Sequence, residues 1–289
     1  MGKTVLKRNN EIVETPKGNS GIITMPEMPD FMQGQQTGLE QLGQYISPPR
    51  LKIIQASSGD ELKTQFGDGT VIITPELIPI VAWKRHPTTG QPIGENPTFV
   101  IVPLFFYPEY AMWNPYPAFA GGSVPAIIDR TLDKNHRIAQ RAKSNNRTDP
   151  YPANKEWAIS YVEHLNFMCR IFLNGEPLEK PVVISFARGE HKAGRDFAAL
   201  LKMRKCPLFG GRYSATVVKR IKDDYNWFGL EISNPNDGGS PWITDPDEFA
   251  NYQELYNEFL EAYTKDRIRV DYENDLDGVS EIKDTATDM

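Results

Sequence analysis

PVVISFARGEHKAGRDFAALLKMRKCPLFGGRYSATVVKRIK, residues 181–222, carries a strand, a helix and a second strand in one run. Val182 to Ala187 is β-branched and aromatic near its end, as a buried strand is, and Ala193 to Lys205 repeats its apolar residues at helical spacing. Cys206-Pro207 ends the helix, Gly210-Gly211 make a turn, and Tyr213 to Ile221 alternates as a second strand. From Val182 to Lys222 there are ten Lys/Arg against Glu190 and Asp196, a local charge of +8 in a chain whose net charge is −6. A cation cluster this segregated calls for an anionic partner.

The helix sharpens the point. At about 100° per residue, His191, Lys192, Arg195, Lys202 and Lys205 share one sector, with Arg188 just before it, while Ala193, Phe197, Leu200 and Leu201 lie opposite. Arg204 alone breaks the pattern. The basic residues continue through Arg212 into Lys219, Arg220 and Lys222. A solvated basic face is the plain alternative, but continuation into the next strand favours a groove that follows a phosphate backbone.

Upstream, Trp157 to Leu173 meets Asn174-Gly175, the strongest hairpin signal in the chain, which turns it back into the Val182 strand. Before that, Thr98 to Phe106 and Glu109 to Asn114 read as two strands joined near Tyr107-Pro108, with Pro103 favouring an edge or a bulge. Most aromatics of this region belong in a sheet core. Tyr107, Tyr110 and Trp113 are the candidates for an outer face, where rings stack on bases for about 1–3 kcal/mol per base. Pro125 to Ser144 reads as helix or helix-rich loop and holds a second cationic patch that includes Arg137 and Arg141. Earlier strands are expected within Tyr45–Ser57, Thr70–Thr74 and Leu77–Lys84. Downstream, Trp227 to Ile232 is one more strand. Asp245 caps and Pro246 opens a helix that runs to about Lys265 and packs its apolar stripe on the sheet.

Residues 1–44 read as a flexible arm, 45–270 as a single nucleic-acid-binding domain, and 271–289 as a disordered acidic tail. That tail holds seven acids and one lysine, −6, so residues 1–270 are neutral overall. No stretch approaches the roughly 18 apolar residues of a membrane span. No secretory core opens the chain, and the two cysteines, Cys169 and Cys206, suit packing in a reducing compartment. The four histidines, His86, His136, His164 and His191, show no metal-ligand spacing. Phosphate-binding, dinucleotide and hydrolase loops are missing as well, and helix capping accounts for Asp245, Asp247 and Glu248. The residues therefore predict no enzyme, no metal and no cofactor.

RLKIIQ (residues 50–55), FVIVPLFF followed by EYAMWN, ISFARGEHKAGR, PLFGGRY and WFGLEI, in that order, resemble the single-stranded-DNA-binding proteins of lytic podoviruses, of the Drc type. The resemblance covers about residues 45–265. It implies an α+β fold with an antiparallel OB-like barrel or sheet core and inserted helices, and sequence-tolerant binding of single-stranded DNA. It further implies roles in phage replication and transcription in the host cytoplasm. The acidic tail would recruit replication or RNA polymerase proteins, although it lacks the terminal aromatic of bacterial counterparts, and a homo-oligomer is compatible. The competing classes are a phage structural or assembly protein with a DNA-contacting face, and a nuclease or strand-annealing recombinase.

Overall fold

The computed structural model describes residues 47–268 and 270, apart from 89, 91, 120–123, 223–224 and 236–239. The chain divides into two units, Met1–Gly43 and Gln44–Met289, and every described residue belongs to the second. The arm and the acidic tail expected at residues 1–44 and 271–289 lie outside the described residues.

In chain order the elements are β1 (Arg50–Ile53), α1 (Asp60–Phe66), β2 (Val71–Thr74), β3 (Ile78–Val81), β4 (Lys84–Arg85), β5 (Pro92–Ile93) and β6 (Thr98–Trp113). There follow α2 (Tyr116–Phe119), β7 (Ile127–Thr131), α3 (Arg137–Lys143), β8 (Thr148–Tyr151), β9 (Asn154–Leu173), β10 (Glu176–Pro177) and β11 (Val182–Phe186). The last elements are α4 (His191–Arg204), β12 (Tyr213–Lys222), β13 (Tyr225–Ser233) and α5 (Pro246–Thr264). One large sheet takes the order β13-β12-β6-β9-β11-β1-β2-β3 and is antiparallel except where β1 runs parallel to β11. Within it, β12-β6-β9-β11 is a Greek key. β6, β9 and β11 lie side by side, with β7 and β8 between the first two in the chain and β10 between the last two, and β12 returns after α4 to pair with β6.

Alternation along the strands makes two cores. Phe99, Ile101, Phe167, Cys169, Ile184, Phe186, Tyr213 and Val217 point to one face, where Phe197 of α4 is packed among them. Phe105, Tyr107, Met168 and Val183 point to the other, under Tyr252, Phe259 and Ala262 of α5. The fold is thus α+β, a mainly antiparallel sheet with one amphipathic helix on each side. Asp245 caps α5 as expected, its side chain accepting from the Asp247 N–H at 2.9 Å, and Pro246 takes the first turn.

The two strands expected to meet at Tyr107-Pro108 are instead one 16-residue strand, β6. β12 pairs with residues 98–101 of β6 and β7 with residues 110–113, so the stretch holding Pro103 and Pro108 has only β9 as a ladder partner. That stretch is locally an edge and tolerates residues without an N–H, and the register shift between Pro103 and Phe105 is the bulge Pro103 called for. In Pro125–Ser144, only Arg137–Lys143 is helical, and Ile127–Thr131 is strand β7.

No backbone ladder joins the end strands β13 and β3. Side chains span part of the gap. The Gln55 amide donates to the Phe228 carbonyl at 2.8 Å and accepts from the Phe228 N–H at 2.8 Å, as a neighbouring strand would. Trp83, just past β3, sets its ring 6.3 Å from that of Phe228. The sheet is therefore open: among the described residues its two ends are bridged by side chains and not by a backbone ladder.

Candidate nucleic-acid interface

α4 is seated closely. A Cβ at Gly194 would lie 2.6 Å from the Phe186 Cβ, so glycine lets the helix backbone approach β11. With that face down, Lys192, Arg195, Asp196, Ala199, Lys202 and Met203 are exposed, the i, i+3, i+4, i+7 spacing of one helical face. Lys205 follows, exposed, in the left-handed conformation that stops the helix (φ 52°). Contacts fix both ends of α4 against β12. Glu190, just before the helix, accepts from Arg220 Nε at 2.8 Å, and the Arg204 guanidinium lies 4.0 Å from the centre of the Tyr213 ring. The helix therefore runs antiparallel to β12. Its 14 residues span about 20 Å, and Tyr213 to Arg220 about 23 Å, so the two match in length.

Of the predicted cations, Lys192, Arg195, Lys202, Lys205, Lys219 and Lys222 are exposed, and none forms an ion pair with a described residue. The others are engaged by the protein. Glu190 takes Arg220 Nε at 2.8 Å, the Trp227 indole N–H at 2.8 Å and the Leu230 N–H at 3.2 Å, while Arg220 also donates to the Leu230 carbonyl at 3.0 Å. His191, expected to meet phosphate, instead pairs with Glu163 at 2.8 Å. That hydrogen bond is the chief reason the Glu163 carboxyl is held below its ordinary range, against the opposing effect of burial. Arg212 reaches Glu248 at 3.0 Å and lies over the Phe172 ring. Arg188 lies over Trp113 and reaches the Ser160 hydroxyl at 3.4 Å. Arg204 breaks the helical pattern because it faces inward. It donates to the Pro241 carbonyl at 2.8 Å and the Asn234 side chain at 2.6 Å, between the rings of Tyr213 and Trp242. Burial pushes the Tyr213 hydroxyl up to about 12. In the second patch Arg141 pairs with Asp149, and Arg137 remains exposed.

The expectation for the three rings is corrected. Tyr107 and Tyr110 are each 1% exposed and Trp113 is 8% exposed, so none offers a face to a base. β6 is central and covered on both faces: Tyr107 packs toward α5, Tyr110 under α3, and Trp113 beside His164 at 5.9 Å. Exposed apolar side chains lie elsewhere. Ile221 at 73%, Met203 at 71%, Tyr225 at 47% and Trp242 at 43% are the most exposed large hydrophobics among the described residues. β12 pairs with β6 only as far as Thr216, and beyond Val217 and Phe228, which are still buried, the tip of the β12–β13 ribbon is exposed at Lys219, Ile221, Lys222, Tyr225 and Asn226. Its length beyond its neighbour, and not its composition, exposes Ile221 and Tyr225.

On the sheet face under α5 a second polar group is buried. Asn166 donates to Glu109 at 3.2 Å, Arg130 lies 3.7 Å from the other Glu109 oxygen, and His164 Nδ1 is 3.2 Å from the Ser185 hydroxyl. Burial, then the nearby Arg50, Arg188 and His191 charges, hold His164 well below the ordinary histidine range, so its ring is neutral. Among the described residues no three His, Cys, Asp or Glu side chains converge to hold a metal ion, and no helix is long and apolar enough to cross a membrane.

The fold and this surface define an α+β protein whose antiparallel-dominated sheet carries a cation-faced helix and a projecting ribbon. Residues 86–264 match the family described as Pam3 phage gp34-like protein, and the chain belongs to that family, which makes it a bacteriophage protein. No curated protein and no solved structure matches the chain.

Proposed function

We propose that this protein binds single-stranded DNA without sequence preference, along α4 and the β12–β13 ribbon, in support of phage genome replication or transcription. The observation that carries the reading is the set of six exposed cations on one helix and the adjoining ribbon, none held by a described carboxylate. Cations so placed track a phosphate backbone, and the counterions it releases supply much of the affinity.

The strand order supports an OB-type reading. β6, β9, β11, β12 and β13 form a Greek key with a fifth strand beside the fourth, as in a five-stranded, partly open barrel, with α4 between the third and fourth strands. All five lie within the family match. β1, parallel to β11, stands where a closing strand would, and Gln55 completes the contact to β13.

The test is binding to single-stranded and double-stranded DNA across a salt series. Single strands are expected to bind more tightly, with log K falling against log salt by about 0.7 per phosphate contacted. Reversing Lys192, Arg195 and Lys202 to Glu should weaken binding to all sequences alike and flatten that slope by about 2. Salt-independent or absent binding to single strands would sink the proposal.

A further inference from the structure

We propose that Tyr225 and Trp242 are the base-stacking residues of this protein, one at each end of the cation belt; the inference rests on the single-strand reading above. Ile221, Met203, Tyr225 and Trp242 are exposed on the basic helix, the ribbon or the loop clamped to them, the first two far more than any other large apolar side chain among the described residues. Ile93, Leu260 and Ile128, exposed about as much as Trp242, lie elsewhere. Exposed rings beside exposed cations suit a ligand that is both anionic and flat-faced. An unpaired polynucleotide is such a ligand, since phosphates meet the cations and bases meet the rings.

The two rings are placed by different devices. Tyr225 opposes Lys222 at the far end of the β12–β13 ladder, with Ile221 on the opposite face of the ribbon. In sequence, Asp223 and Asp224 join the two strands. Trp242 forms a bridge with Gly211 at the other end of β12, and Arg204 lies 5.2 Å from its ring centre. Between them α4 presents Lys192, Arg195, Ala199, Lys202 and Met203. From Gly211 to Lys222 the strand advances about 36 Å. At the 3.4 Å rise of a stacked strand that distance holds at most about 10 nucleotides, inside the range for one OB-type module.

Binding of the full chain to oligothymidine, which has no secondary structure, tests the assignment. Tyr225→Ala and Trp242→Ala should each weaken binding roughly 5- to 150-fold, without changing the slope of log K against log salt, because no charge is removed. Tyr225→Phe should bind as the natural chain does. Trp242→Ala also removes a partner of Arg204, so Tyr225→Ala, at the exposed end of the ribbon, is the deciding variant, with its thermal midpoint as the check on folding. If Tyr225→Ala binds as tightly as the natural chain while charge reversal on α4 still weakens binding, the stacking assignment is overturned and the single-strand reading survives. A loss that comes with a flattened salt slope also overturns it, since the ribbon would then act through charge. If the natural chain does not bind oligothymidine at all, both fail together.

Discussion

Glu190 holds Arg220 against the fold and so takes it out of the solvent-facing cations of the basic segment. Its carboxylate takes one guanidinium, one indole and one backbone N–H, and a Cβ at Gly229 would collide with it, so the ribbon is shaped around it. Glu190→Ala should destabilise the fold by about 2–4 kcal/mol, because three donors lose a partly buried acceptor at once, and urea unfolding would show it. A loss below about 0.5 kcal/mol would mean that water replaces the carboxylate. None of this was legible in the sequence. Spacing ranks Arg220 equal with Lys219 and Lys222, and says nothing of a glutamate thirty residues upstream. His164 sets a pH limit of its own. Folded, its ring stays neutral far below the ordinary range; unfolded, it takes a proton below about pH 6.5. Proton uptake by the unfolded chain alone lowers stability as pH falls from about 6.5, by up to about 1.4 kcal/mol per pH unit. His164→Gln should flatten stability between about pH 6.5 and pH 5, measured by urea unfolding at each pH. A variant with the same acid slope as the natural chain would show that another group titrates there.

α4 tests the seating of an element. In an exposed helix interior, glycine to alanine stabilises by about 1 kcal/mol. At Gly194 the added methyl would meet Phe186 and Leu165 at 2.6 and 3.1 Å, which overpacks a buried contact at a cost of about 1–3 kcal/mol. Gly194→Ala is therefore expected to be destabilising, by up to about 2 kcal/mol, and helix propensity alone predicts the opposite sign. Denaturant midpoints decide between them. The elements themselves were largely legible. A β-branched run gave β11 and alternation gave β12, each to within a residue, capping chemistry gave α5, and Asn174-Gly175 gave the turn from β9 into β10, beyond which the chain continues into β11. What sequence pattern misplaced was the depth of β6. Tyr107, Tyr110 and Trp113 are spaced by three and so fall on both faces of the strand, and how many layers cover each face depends on the partners that fold over it from residues 137–143 and 246–264. Local spacing carries no such information.

At the scale of the whole molecule, charge separates along the chain. Residues 271–289 carry −6, residues 1–270 are neutral, and the segment 182–222 carries +8. A tethered polyanion competes with DNA for the same cations at an effective concentration fixed by its tether, and salt screens that competition over a Debye length of about 10 Å at 0.1 M. Removing residues 271–289 should therefore raise single-strand affinity by about tenfold at low salt and by little at high salt. The truncated chain should show the steeper dependence of log K on log salt, because the full chain loses its internal competitor as salt rises and so offsets part of the loss of DNA binding. Charge reversal on α4 flattens the slope, and the two changes move it in opposite directions. Equal affinity of the full and truncated chains at every salt concentration would show that the tail does not compete for the belt, and would leave recruitment of other proteins as its role.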